Sequence, residues 1–215
     1  MAEAGPRRHR DAAFLAAKYT RSTEPHVAPI NRLAAQIAAA TGAVVPGADP
    51  DGGGVDARVL LLLETPSRAG GYTTGLISID NDDTAAANLW RGLDAVGLDR
   101  RRVLVWNAVP WYVGSADKIR SPAPAEITAG LAWLRRLLDL LPDLRVVACF
   151  GRAAARAVLP LRPELVARGL TLLDSPHPSQ RVYNRPGAQA RERVHATLAT
   201  AAELARAPAH PSVGR

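Results

Sequence analysis

The run Val59–Leu63, followed by Glu64, Thr65, Pro66 and Ser67, most limits what this chain can fold into. Five consecutive apolar residues show no alternation, which points to a strand buried on both faces. Such strands belong to parallel sheets covered by helices. They deliver their last side chains to the carboxyl edge of the sheet, where open α/β folds bind ligands. Pro66 stops the strand and fixes its own φ, so Glu64 and Thr65 are expected on a rigid lip.

Two further apolar runs end the same way. Residues 103–107 lead to Asn107 and then Pro110, and residues 170–174 lead into Ser175-Pro176-His177-Pro178-Ser179. A fourth run, 145–150, is turned by Gly151 into a helix over 152–159. Other helices are predicted over 11–18 with Phe14 and Leu15 inward, over 29–41, from 84 to about 97 behind an Asp83–Thr84 cap, over 124–141 and over 187–205. The Gly- and Thr-rich residues 68–75 read as an irregular loop just past a strand end, a frequent place for function. Strands alternating with helices give a parallel sheet with helices on both faces. In that topology the three proline-bounded edges gather into one pocket.

The chain has 215 residues, enough for one α/β domain and short for two. Residues 1–10 are expected to be a disordered basic N-terminus, 11–206 the domain, and 207–215 a flexible tail. No apolar run approaches the ~20 residues of a membrane span, and no apolar segment follows the N-terminal arginines as in a secretory signal. The single cysteine, Cys149, excludes an intrachain disulfide and any cysteine-held zinc or iron–sulfur site. The five histidines show no metal-ligand spacing. No metal or other cofactor is expected. The net charge is +7, carried by 25 arginines against Lys18 and Lys118. Arginine forks suit phosphate oxygens, although an arginine- and alanine-rich genome explains the same composition.

The three edges offer a carboxylate (Glu64), a hydroxyl (Thr65), an amide (Asn107) and an imidazole (His177), with Ser179 beside it. An amide reads a donor–acceptor pair on a heterocycle. A histidine stabilises an oxygen that becomes negative, and a carboxylate positions water or supports a cationic sugar. Together they suit heterolytic cleavage of an N-glycosidic bond. Plainer readings stand beside this one. Glu64 could simply pair with Arg68, Asn107 could be a turn former, Ser179 could cap a turn, and residues 80–83 could be a solvated helix cap. Trp106 reads as core and His195 as surface or core.

At these residues the sequence resembles the uracil-DNA glycosylase superfamily. Leu63-Glu64-Thr65-Pro66, Asn107 and His177-Pro178-Ser179 stand in the family's order, and Cys149-Phe150-Gly151-Arg152 is similar to its strand-to-helix turn. The resemblance covers roughly residues 59–194. It implies a three-layer α/β/α sandwich around a four-stranded parallel sheet, and a flipped deoxyuridine in the pocket. It implies that Asn107 reads the uracil edge and that His177 hydrogen-bonds uracil O2. Pro66, Ser67, Pro178 and Ser179 would hold DNA phosphates, and the loop with Arg181, Tyr183 and Arg185 would press into the duplex. The implied partner is uracil-containing DNA, single- or double-stranded. The expectation is a monomer in the cytoplasm, at the nucleoid, without membrane attachment.

The chain departs from the family pattern. Leu63 replaces the usual Gly, and Thr65 stands where the best-known branch has a water-activating Asp. Glu64 or one of residues 80–83 would take over that work. The usual Phe platform is not evident, so Tyr72, Leu76 or Ile79 would replace it, with Tyr72 alternatively excluding thymine's methyl. The expected activity is metal-independent hydrolysis of the bond to uracil or a related damaged pyrimidine. The alternatives are a weakly active or inactive nucleic-acid-binding relative and a hydrolase or transferase of small nucleosides.

Overall fold

In a computed structural model of the chain, which describes residues 5–115, 120–184 and 189–206, the run Val59–Leu63 is a central strand. Along the chain come α1 (Ala12–Tyr19), α2 (Ala28–Thr41), β1 (Gly47–Ala48), β2 (Val59–Leu63), β3 (Leu76–Ile77), α3 (Thr84–Ala95) and β4 (Val103–Asn107). Then follow α4 (Pro124–Asp139), β5 (Val146–Phe150), α5 (Arg152–Val158), α6 (Arg162–Ala167), β6 (Thr171–Ser175), α7 (Gln180–Tyr183) and α8 (Ala190–Arg206). Four strands form one parallel sheet in the order β4-β2-β5-β6, and β1 and β3 pair in a separate small sheet.

Alternate residues of each central strand face opposite layers. Leu60, Leu62, Leu104, Trp106, Val147 and Cys149 pack with Ile30 and Leu33 of α2, Leu134 and Leu137 of α4, and Ala157 of α5. Val59, Leu61, Leu63, Val103, Ala148 and Phe150 pack with Leu89 and Leu93 of α3 and Val194 and Leu198 of α8. The result is the expected three-layer α/β/α sandwich, with every residue of β2 and β5 buried. Among the described residues no helix is long and apolar enough to cross a membrane.

The register sets up the pocket. Leu63 pairs with Asn107 and Phe150 with Ser175, while Leu62 pairs with Cys149. Asn107, Leu63, Phe150 and Ser175 therefore lie in one row at the carboxyl end of the sheet. Their side chains face the α3/α8 layer.

Four features differ from the sequence expectation. Residues 68–75 are not irregular: Ala69–Thr74 form a wide π-helical turn closed by Gly75 at φ 60°. Helices α6 and α7 and the β1–β3 pair were not expected. The closing helix starts at Ala190, and residues 185–188 lie outside the described set.

The fourth difference is the N-terminal segment, expected to be disordered through Arg10. From Gly5 on it is placed, and it is strapped to residues 80–82. The His9 backbone N–H donates to the Asp80 carbonyl at 3.0 Å, Arg8 forks onto the Asp80 carboxylate at 2.8 and 3.0 Å, and Arg10 pairs with Asp82 at 2.8 Å. Arginines without local apolar neighbours look disordered in sequence, but the acidic partners lie about seventy residues away. Residues 207–215 lie outside the described set.

Candidate active site

The three lips converge. A cleft of about 1000 Å³ opens at the carboxyl edge of the sheet, lined from β2 by Leu63 to Arg68, from β4 by Asn107, and from β6 by Asp174 to His177 and then Ser179. Its apolar floor comes from Leu63, Ile79, Leu89 and Val105. Arg68, Arg120, Arg152, Arg181 and Arg193 stand around it. Among these, Arg120 pairs with Glu126 at 2.7 Å.

His177 is held in one tautomer. Its Nδ1 accepts the Ser179 backbone N–H at 3.1 Å, so the ring proton belongs on Nε2. Burial pushes the imidazole down to about 4, so it is neutral at neutral pH. Two further features fix the ring. Gly151 has φ 95°, and a Cβ there would come within 3.3 Å of His177 Cβ and Cδ2. Asn88 of α3 donates to the Pro178 carbonyl at 2.8 Å.

Asn107 is buried, and its Oδ1 has no hydrogen-bond partner among the described residues. A buried acceptor without a partner is costly, by about 1–3 kcal/mol. Asn107 is a residue of the cleft lining, so a ligand's N–H would supply that partner.

Glu64 is half-buried at the cleft wall. Burial raises its carboxyl above the usual range, against the opposing pull of Arg152 and the Ala153 N–H. Its electrostatic partner is Arg152, not Arg68. Thr65 lines the cleft, and its hydroxyl makes a long contact with the Pro66 carbonyl at 3.4 Å.

Residues 80–83 divide sharply. Asp80 is wholly buried in an ion-pair cluster, with Lys18 Nζ at 2.6 Å and an Arg100 nitrogen at 2.9 Å. Those cations hold its carboxyl far below the usual range despite burial. Asn81 donates to the Leu76 carbonyl and accepts from Thr74. Asp82 is exposed and paired with Arg10. Asp83 caps α3 through the Ala86 N–H and accepts the Ser67 hydroxyl at 2.8 Å. Only Asn81 and Asp83 line the cleft.

Several expected roles do not fit this geometry. Tyr72 is 55% exposed, stacks edge-on against Tyr112 at 4.9 Å between ring centroids, and is not part of the lining. The π-helical turn places Gly70 and Gly71 inward and leaves Tyr72 outside. Leu76 is buried but likewise outside the lining, whereas Ile79 lines the floor. Ser67 gives its hydroxyl to a carboxylate, which disfavours a phosphate at the same atom. Pro178 is buried behind the cleft, has no N–H to offer, and its carbonyl is taken by Asn88. Pro66, Ser179 and Arg181 line the cleft, and Arg185 lies outside the described residues.

Sequence reasoning missed Arg152, Arg193, Asn88 and Ser175. The glycine before Arg152 was the one available signal, since it opens α5 directly beneath the lip. Cys149 also lines the cleft, but burial pushes its thiol up to about 12, so it is no nucleophile. A possible metal set, His9 with Asp49 and Asp80, already holds Lys18 Nζ within 2.8 Å of both carboxylates.

The profile of the Uracil DNA glycosylase superfamily matches residues 50–199. The chain belongs to that superfamily. Every residue lining the cleft falls within the matched span. Membership places the chain among DNA glycosylases, hydrolases of DNA repair. One solved structure, that of wild-type SMUG2 from Pedobacter heparinus, is similar over 67% of this chain and 74% of that one, at 13% identity and a TM-score of 0.48. No curated protein sequence matches the chain.

Proposed function

We propose that this superfamily member removes uracil, or a related damaged pyrimidine, from DNA and leaves an abasic site. The carrying observation is the pairing, in one cleft, of a neutral His177 with its proton on Nε2 and an Asn107 whose buried Oδ1 lacks a partner among the described residues. The first suits a base carbonyl that gains charge, and the second suits the N3–H of a uracil-like ring.

In this reading the base is swung out of the DNA into the cleft, over the Leu63, Ile79 and Leu89 floor. The C1′–N1 bond breaks and its electron pair stays on the base. The resulting negative charge spreads onto O2, where the His177 Nε2–H donates a hydrogen bond without giving up its proton. The sugar carries the positive charge, and water adds at C1′. Glu64 takes the proton from that water, and its raised pKa makes it a better base than an exposed carboxylate. The buried Asp80 is unsuited to this work, and Asp83 is occupied by Ser67 and the α3 cap. Arg68, Arg152, Arg181 and Arg193 supply positive charge at the mouth for DNA phosphates. The chain's own residues suffice for each of these steps.

The test is an oligonucleotide with a single uracil, incubated with the protein and then cleaved at abasic sites with alkali. Strand cleavage only where uracil stands supports the reading. Intact strands at enzyme excess would overturn it.

A further inference from the structure

We propose that Ser175 is a catalytic residue, a second donor to the leaving base beside His177; this rests on the glycosylase reading above. Among the described residues five buried side-chain atoms lack a hydrogen-bond partner: Arg7 Nε, His9 Nε2, Arg100 Nε, Asn107 Oδ1 and Ser175 Oγ. The first three belong to the strap and the ion-pair cluster around Asp80. The other two belong to residues that line the cleft.

Ser175 is 7% exposed, so bulk water does not satisfy its hydroxyl. It lies in the same sheet row as Asn107, facing the same layer, with Leu63 and Phe150 between them. Three strand spacings separate the two backbones by roughly 14 Å. The reach of the two side chains takes up part of that span. What remains is of the length of two hydrogen bonds and the N3–C2–O2 edge of one ring between them. Asn107 Oδ1 receives the ring N3–H, and the Ser175 hydroxyl donates to O2, the carbonyl oxygen on the next ring atom. His177 follows Ser175 by two residues, and its Nε2–H serves the second lone pair of that oxygen. As the C1′–N1 bond breaks, the electron pair moves onto the base and both donors hold the charge. No proton is transferred to the base by Ser175.

The role separates from a structural one. A hydroxyl satisfied only by a ligand contributes nothing to folding, so Ser175→Ala leaves thermal stability unchanged or slightly higher. Loss of a hydrogen bond to a charging oxygen lowers kcat roughly tenfold or more, with KM unchanged. The loss is smaller for 5-fluorouracil, whose anion is intrinsically more stable, than for uracil. Ser175→Cys, nearly the same size with a weaker donor, falls between the two and serves if the alanine variant folds poorly.

The experiment is single-turnover excision of uracil and of 5-fluorouracil from otherwise identical oligonucleotides by wild type, Ser175→Ala and Ser175→Cys, with melting curves of each. The expected result is an unshifted melting midpoint and a larger rate loss on uracil than on 5-fluorouracil. An unchanged rate, an equal loss on both bases, or a loss matched by a lower midpoint overturns the role of Ser175 alone. A wild type inactive on both bases overturns the glycosylase reading, and this role with it.

Discussion

Asn88 and Pro178 are joined across ninety positions of chain by a buried hydrogen bond of 2.8 Å. The donor is on α3 and the acceptor follows His177 directly, so this one bond ties the helix behind the cleft to the loop that carries the imidazole. Pro178 has no N–H and Pro176 restricts the other side, so the loop has few other ways to fix its position. Asn88→Ala leaves a buried carbonyl without its donor. We expect a loss of about 1–3 kcal/mol in stability by denaturant titration, and a fall in kcat larger than any change in KM.

Gly151 makes a related prediction. Its φ of 95° and ψ of 167° lie in a region used almost only by glycine. A Cβ there also meets the His177 side chain at 3.3 Å. Gly151→Ala should cost about 1–3 kcal/mol from backbone strain and displace the imidazole. Excision should therefore fall further in Gly151→Ala than in Gly169→Ala, a positive-φ glycine with no neighbour within 4 Å of its Cβ position. Equal effects at the two sites would show that strain alone decides.

The acid limb of the rate profile follows from two groups. Glu64 must be ionised to take a proton, and its pKa is raised, so its contribution is lost first as pH falls. His177 protonates lower, near 4, which puts a proton on the Nδ1 that accepts the Ser179 N–H. Its folded pKa lies below the free value of 6.5. The unfolded chain thus binds the extra proton between those values, and stability falls as pH drops through that window. We expect a flat rate above neutrality and a two-step decline below it. Glu64→Gln should lower the plateau and leave only the lower step, measured by single-turnover excision from pH 8 to 4.

Lys18 carries the stability prediction. Its Nζ lies within 2.8 Å of Asp49 and Asp80, with Asp51 at 3.2 Å, and the side chain is almost wholly buried. Lys18→Met leaves buried carboxylates short of a partner, at a cost of about 3–5 kcal/mol. Because the cluster depresses the Asp80 carboxyl, its contribution holds above the unfolded carboxylate pKa and is lost as pH falls further. Thermal melting of the variant at pH 7 checks the first statement, and acid titration of wild type checks the second.

How much of this was legible in the chain depends on distance along it. The four central strands were readable because each is a short apolar run with a stop signal. Proline and the parallel register then brought Asn107 and His177 to the same edge as Glu64. The ion-pair cluster was not readable, because Arg8, Lys18, Asp49, Asp80 and Arg100 are scattered and each looks like an ordinary surface charge. Tyr72 was misplaced for a local reason: a glycine- and threonine-rich stretch gives no sign of a π-helical turn, and that turn decides which side chain points inward. Ser67 and Pro178 read as phosphate contacts only while their partners, Asp83 and Asn88, were out of view. Ser175 was passed over because nothing in a sequence marks a serine whose hydroxyl ends up buried and alone.

His177 and Asn107 are expected to act together on a uracil ring. The most direct measurement is free uracil released from a uracil-containing oligonucleotide, quantified for wild type, His177→Ala and Asn107→Ala at equal folded concentration. The expected result is uracil release by wild type, no release from the thymine-containing control, and a rate loss of at least about a hundredfold in each variant. Release undiminished in both variants, or no release by folded wild type, would contradict it.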